Sequence, residues 1–261
     1  MTFNLRYASP TPPHSWPQRR PAVKACLEQY RPDLIGTQEG LYAQLRDIAA
    51  DQPGYAWIGT GRDGGSRGEF MAIFYRTARF EPLEYDHFWL SDTPNVIGSS
   101  TWGNTNRRMV TWVRFRDRQR NAEFYFWNTH LDHALQPARE KGAALIRDQM
   151  TALKLPLPLL LVGDFNAAAG ANPAYDLLVN ANGLTDLWNL AAEKRNENIN
   201  SFHDFKGPRE GGIRIDWLLG RGVGRVTGAE IITFALNGQF PSDHFPVMVT
   251  LEFPPPSAAH P

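Results

Sequence analysis

A single cysteine, Cys26, occurs in 261 residues, which excludes an internal disulfide and any zinc site built from cysteines. No apolar run approaches the roughly 20 residues of a membrane span, and no charged-then-apolar signal segment opens the chain, so no stable membrane association is expected. Lysine is scarce, five of 27 basic residues, and basic and acidic residues balance at 27 each. No overall field therefore draws the protein to nucleic acid or anionic lipid. The arginine-heavy usage suits local, bidentate contacts to carboxylate or phosphate, though a bias in genome composition accounts for it equally well. The absence of a repeat period excludes solenoids and propellers. A G-x-S-x-G elbow, a Walker loop and a G-x-G-x-x-G fingerprint are missing too, which weakens esterase, nucleotide-triphosphate and dinucleotide readings.

No linker divides residues 1–253, which read as one domain; PPPSAAHP at 254–261 reads as a frayed tail. TFNLRY is already strand-like at residue 2, which leaves the compartment open, cytoplasmic or secreted after removal of a leader upstream of Met1.

Short runs rich in aromatic, aliphatic and β-branched residues recur, among them AWIGTG, FMAIFYR, MVTWVRF, AEFYFWNTHL, PLLLVGDF, GIRIDWLLG and HFPVMVTLEF. Each is bounded by Gly, Pro, Asn or Asp, as strands are. GRDGGSRG at 61–68 reads as a hairpin loop between two of them. Helical spacing appears in RRPAVKACLEQY (Val23, Leu27, Tyr30), stopped by Pro32, in GLYAQLRDIAAD (Leu41, Leu45, Ile48), and in PAREKGAALIRDQMTALK (Ala144, Ile146, Met150, Leu153). Helices scattered among strands covered on both faces predict an α/β sandwich, two packed mixed sheets with helices outside. A doubly wound parallel sheet is the alternative; residues 55–130 alternate too irregularly for it.

Several strands end on polar groups that a core would not choose: Asn4, Glu39 of LIGTQEG, His130 and Asp132 of NTHLD, Asp164 and Asn166 of GDFN, Asp216 of RIDWLL, and Asp243 and His244 of PSDHFPV. Such groups are costly unless hydrogen-bonded, paired or bound to metal. Singly, each has a structural reading: Asn4 a satisfied core amide, Glu39 a helix cap, the histidines core residues, Asp164 and Asn166 turn formers. Repetition of the same sacrifice at six strand ends favours an active site. The oxygen ligands Asn4, Glu39 and Asp243 suit a hard cation, Mg²⁺ or Mn²⁺.

The blocks TFNLRY, TQEG, GEFMAIFYR, NTHLDH, GDFNA, RIDWLL and PSDHFPV, in this order over positions 2–247, resemble the endonuclease/exonuclease/phosphatase superfamily, and within it a bacterial branch similar to the deadenylase-like members. The resemblance implies a four-layered αββα sandwich and a divalent-metal-dependent phosphoesterase. Glu39, Asn4 and Asp243 would hold the metal, Asp216 would hold His244, Glu69 would pair with His130, and Asp164 and Asn166 would position water and phosphate. Arg108 matches an arginine that touches phosphate in related sequences. Those sequences have Asp where Gly103 stands and Pro where Arg107 stands, so Arg107 adds a cation near the site and points to a more anionic substrate. Trp102, with Trp16 and Trp89, would cap the site over a base or sugar, or simply pack its loops down. The substrate is expected to be a phosphorylated small molecule or nucleic acid, acted on by a monomer; a nuclease and a non-catalytic phosphate-binding protein are the rival readings. Every block retains its functional residue, which disfavours the last.

Overall fold

The structure is a computed structural model that describes residues 1–179 and 183–253; the expected tail at 254–261 lies outside the described residues. The chain runs β1 (Thr2–Asn4), α1 (Trp16–Tyr30), β2 (Leu34–Gln38), β3 (Gly40–Leu41), α2 (Tyr42–Asp51), β4 (Tyr55–Ile58), β5 (Glu69–Phe70), β6 (Ile73–Arg76), β7 (Phe80–Trp89), β8 (Met109–Asp117) and β9 (Ala122–His130). It continues with α3 (Gln136–Thr151), β10 (Leu159–Asp164), α4 (Pro173–Val179), β11 (Thr185–Asp186), α5 (Leu187–Leu190), β12 (Glu193–Arg195), β13 (Asp216–Arg221), β14 (Val226–Ile231) and β15 (Val247–Leu251).

Two mixed sheets result, ordered β12-β14-β15-β1-β2-β6-β4 and β11-β13-β10-β9-β8-β7, beside a small β3-β5 pair. This replaces the doubly wound alternative. Period-2 packing explains why the strands are apolar at successive positions. Leu160 and Val162 of β10, with Phe124 and Phe126 of β9, face the other sheet. Leu159 and Leu161, with Tyr125 and Trp127, face outward onto Ile146 and Met150 of α3. On the far side Phe3, Ile35 and Phe74 pack on Val23 and Leu27 of α1 and on Leu45 and Ile48 of α2. Three apolar layers thus separate four layers of backbone. Gly36 lets the sheets approach closely, because a Cβ there would run into Val162 and Asn128.

α1 begins near Ser15, whose amide and side chain meet Gln18, and ends at Arg31 before Pro32. In α3 the buried residues are Ala138, Gly142, Ala143, Ile146 and Met150, so the stripe keeps the expected Ile146 and Met150 and takes Ala143 in place of Ala144, while Leu153, past the helix end, packs partly buried on the same core. The strand β7 is not among the expected ones. It is an edge strand with exposed central residues and an irregularity at Pro82, features that edge strands tolerate and that mask the strand pattern. No helix among the described residues is long and apolar enough to cross a membrane.

Candidate active site

The parallel pairs β1/β2 and β9/β10 bring their C-terminal ends to one rim of the sandwich, so polar strand ends far apart in sequence meet there. Register fixes the centre: Asp164 lies opposite His130 of β9 on one side and opposite Asp216 of β13 on the other. Gly163 makes the approach possible, since a Cβ would collide with the Thr129 carbonyl oxygen. Phe165 then turns into the core and stacks on Trp217 with ring centroids 4.1 Å apart.

Asp164 is buried, and both its oxygens are engaged. Its Oδ2 accepts from Asn4 Nδ2 across the two sheets at 2.9 Å and lies 3.4 Å from His130 Nε2 and 3.7 Å from His244 Nε2. Its Oδ1 accepts from the amide of Asn166 at 2.9 Å. Burial raises the Asp164 carboxyl, against the pull of His244, to about 7, the range in which a group exchanges protons at neutral pH. Asn166 does not continue the strand face beside Asp164, as spacing two would suggest. It leaves the strand in a left-handed conformation with φ 49° and directs Nδ2 at His130 Nε2, 2.9 Å away, and at the Leu131 carbonyl, 3.1 Å away.

The two histidines differ. His244 Nδ1 is 3.0 Å from Asp216 Oδ2. Burial alone would lower its pKa, but Asp216, Asp164 and Asp243 raise it to about 10, so the ring is cationic at neutral pH. His130 is pushed well below its ordinary value by burial, then by Arg108 and His244, and is neutral. The expected Glu69–His130 pair is corrected: Glu69 Oε2 accepts from Arg62 Nη1 at 2.7 Å, a nearer and permanently charged partner, and no hydrogen bond joins Glu69 to His130 among the described residues.

Glu39 leaves β2 with φ 63° and accepts from Asn4 Nδ2 at 3.1 Å and from the amide of Tyr7 at 3.2 Å. Arg6 spans Glu39 and Asp243 at 3.9 and 3.6 Å. Burial raises the Asp243 carboxyl, His244 opposes it, and Glu39 adds to the rise; a cation between the two carboxylates would relieve that crowding. Ligand atoms of Glu39, His130 and Asp164 also lie within 4.8 Å of one another. A hard, oxygen-rich donor set of this kind fits Mg²⁺ or Mn²⁺. Asn4 turns its NH₂ donors to the carboxylates, while its oxygen accepts from the Arg6 amide.

Glu39, His130, Asp164, Asn166, Asp243 and His244 line a cavity of about 490 Å³, with Asn4 and Asp216 behind them. Arg108 reaches it, almost fully buried, and its Nη2 lies 3.1 Å from His133 Nδ1. Its Nε and Nη1 have no hydrogen-bond partner among the described residues, and Nε lies 3.9 Å from Asp132 Oδ2, so Nη1 is the donor without a charged partner. Neither Arg107 nor Trp102 is among the lining residues. Arg107 is exposed and held by Asp63 and the Gly98 carbonyl. Trp102 donates to Asp92 at 2.7 Å and lies under Lys141, Trp89 donates to the Arg62 carbonyl, and Trp16 to Asp47. Trp102 and Trp89 thus pack loops down, while Trp16, the first residue of α1, is buried in the core and ties α1 to α2. Sequence reasoning missed Arg6, Arg62, His133 and Phe202. Phe202 is 44 % exposed, with its ring 5.0 Å from that of His244; it sits in an irregular loop where no periodicity marks it.

No curated protein matches the chain. Among solved structures, the mannosyl-6-phosphatase of Bacteroides thetaiotaomicron is 33 % identical, with a TM-score of 0.88 over 97 % of this chain and 98 % of that one. An endonuclease/exonuclease/phosphatase family protein from the same organism is 34 % identical, with a TM-score of 0.90 over 97 % and 96 %. D. rerio TDP2, complexed with a single-strand DNA product, is 17 % identical, with a TM-score of 0.70 over 94 % and 95 %, and shares the fold. The model of the Endonuclease/Exonuclease/phosphatase family matches residues 1–244. With its strand ends converging on one acid-histidine cavity and this match over nearly its whole length, the chain belongs to the endonuclease/exonuclease/phosphatase family, whose members are phosphoester hydrolases.

Proposed function

We propose that the protein is a divalent-metal-dependent phosphomonoesterase acting on a phosphorylated sugar or similar small polyol. One observation carries the reading: Asp164 Oδ2 lies within 3.7 Å of both His130 Nε2 and His244 Nε2, backed by the Asp216–His244 pair and sharing its cavity with Arg108. Glu39 and Asp243 would hold the cation, which supplies charge stabilisation for the phosphate oxygens when bound. The balanced overall charge and the 33 % identity to a mannosyl-6-phosphatase favour a compact phosphorylated substrate over long nucleic acid, which is gripped through many basic contacts.

The residues divide the work. Arg108 Nη1 would bind a non-bridging phosphate oxygen and aim the phosphorus. Asp164 takes a proton from water as the water oxygen forms its bond to phosphorus and the ester P–O bond breaks in line, and the departing alkoxide oxygen takes up a proton from solvent to leave as the alcohol. The two hydrogen bonds to Asp164, from Asn4 and Asn166, fix the direction in which it accepts. His244, kept charged by Asp216, stabilises the charge developing on the phosphoryl oxygens. His130, neutral and bonded to Asn166, orients the same group of atoms.

The test is phosphate release with Mg²⁺ or Mn²⁺ from mannose 6-phosphate and other sugar phosphates, beside single-stranded DNA and RNA and bis(p-nitrophenyl) phosphate. The expected outcome is turnover of at least one sugar phosphate well above every diester, abolished by EDTA and restored by metal. Diester cleavage alone, or full activity in EDTA, would overturn it.

A further inference from the structure

Arg19, on the inner face of α1, is completely buried, and all five of its N–H groups go to backbone carbonyls. Its Nε donates to His14 at 2.9 Å, Nη1 to Leu5 and Pro241 at 2.7 and 2.8 Å, and Nη2 to Arg6 and Tyr7 at 2.9 and 3.1 Å. No carboxylate is a direct partner among the described residues. Burying a cation in this way is costly, and a Leu or Met would fill the same volume without the penalty. A rule broken so thoroughly in the core points to a task.

The carbonyls identify the task. Residues 5–7 follow Asn4 off the end of β1. They include Arg6, held at φ 51° with its side chain 3.6 Å from Asp243 and 3.9 Å from Glu39, and Tyr7, whose amide donates to Glu39. Pro241 stands two residues before Asp243. One planar guanidinium therefore joins the loop that holds Glu39 to the turn that carries Asp243 and His244, with α1 as the fixed support. Five donors in a rigid fork are what this geometry uses, and a lysine offers three on a flexible stem.

We propose that Arg19 is a positioning residue that locks the Leu5–Tyr7 loop to the Pro241–His244 turn, fixing Glu39 and Asp243, the carboxylates proposed to hold the cation, relative to one another. This rests on the metal-dependent reading above. Supporting residues that orient metal ligands change metal affinity by roughly 10–100-fold when altered, which sets the scale of the test.

Mn²⁺ binding to the full chain is measured by calorimetry for the wild type, Arg19→Lys, Arg19→Met and Glu39→Gln, with circular dichroism to establish folding. Both Arg19 variants are expected to bind Mn²⁺ at least about tenfold more weakly, with kcat lowered more than KM is raised. Folded Arg19 variants that bind Mn²⁺ as the wild type does, with only a lower Tm, would overturn the proposal. If neither variant folds, amide hydrogen exchange of the wild type decides. Protection at residues 5–7 and 242–245 is expected to rise together on Mn²⁺ addition, and independent responses would overturn the proposal. Failure of the wild type to bind Mn²⁺, or wild-type binding by Glu39→Gln, would instead overturn the proposed function and this inference with it.

Discussion

Replacing Asp164 by Asn should inactivate the enzyme and, above neutral pH, stabilise it. The Asp164 carboxyl stands at about 7 in the folded protein against 3.8 for the free group. A group raised on folding favours the folded state below its unfolded pKa, and that contribution is lost as pH rises through the folded value. At pH 8 the ionised carboxylate therefore carries a penalty on the order of 4 kcal/mol, about three pKa units at 1.36 kcal/mol each. Asn escapes it but brings a cost of its own. Both carboxylate oxygens accept hydrogen bonds, from Asn4 and Asn166, so one way or the other the new NH₂ faces a donor, at about 1–3 kcal/mol. The balance is a variant more stable than wild type by about 1–3 kcal/mol at pH 8 and less stable by a similar amount near pH 4, while turnover falls by at least about 10²-fold. Urea denaturation in EDTA at both pH values, beside a phosphatase assay at pH 8, measures all three quantities. A stability difference of the same sign and size at both pH values would refute the reasoning.

The Arg62–Glu69 pair should show a coupling of about 1–3 kcal/mol in a double-mutant cycle read by urea denaturation, whereas Glu69→Ala and His130→Ala should add within about 0.5 kcal/mol; the reverse pattern would restore a Glu69–His130 pair. His203 is lowered to about 4 by burial, with His244 adding to the fall, so below pH 6.5 the unfolded chain takes up a proton that the folded one refuses. Stability should drop as pH falls from about 6.5 toward 4, and His203→Phe, which keeps the stack on Phe245, should show a shallower drop; an unchanged slope would exclude His203 as its source. Arg107→Ala should leave KM for sugar phosphates within about twofold, because its guanidinium is spent on Asp63 and the Gly98 carbonyl outside the cavity; a tenfold rise would return Arg107 to the substrate site.

The layers were legible in the sequence because burial on both faces leaves a local mark. LLLV of β10 and FYFW of β9 are apolar at each step, and each step has its own partner layer in the structure. The polar strand ends were legible for the complementary reason: Asp164, His130 and Asp216 break apolar runs, and the register sets them side by side. β7 was not legible, since an edge strand exposed at its centre and interrupted by Pro82 carries no alternation to detect. Pairings across the site were hidden for a different reason. Whether Glu69 meets His130 or Arg62 depends on how the 61–68 loop folds back, which hydrogen bonds from Gly61 and Asp63 settle, and neither partner's spacing encodes it.

Arg19 shows the limit most clearly. In sequence it is one of 22 arginines; it stands four residues before Val23 on the apolar stripe of the helix, but a charge there reads as a stem reaching out to solvent, as Arg20 beside it does in pairing with Asp47 and Asp51. Its burial follows from the carbonyls around it. The loop at 5–7, which cradles Glu39, and the turn at 241–244, which presents Asp243 and His244, turn backbone oxygens inward that Gln44 of α2 meets only in part. Buried carbonyls need donors, and a single guanidinium supplies five at once. The polar strand ends that reveal the site thus create the need for a buried cation behind it, so a charged residue in the core is here a consequence of how the site is built.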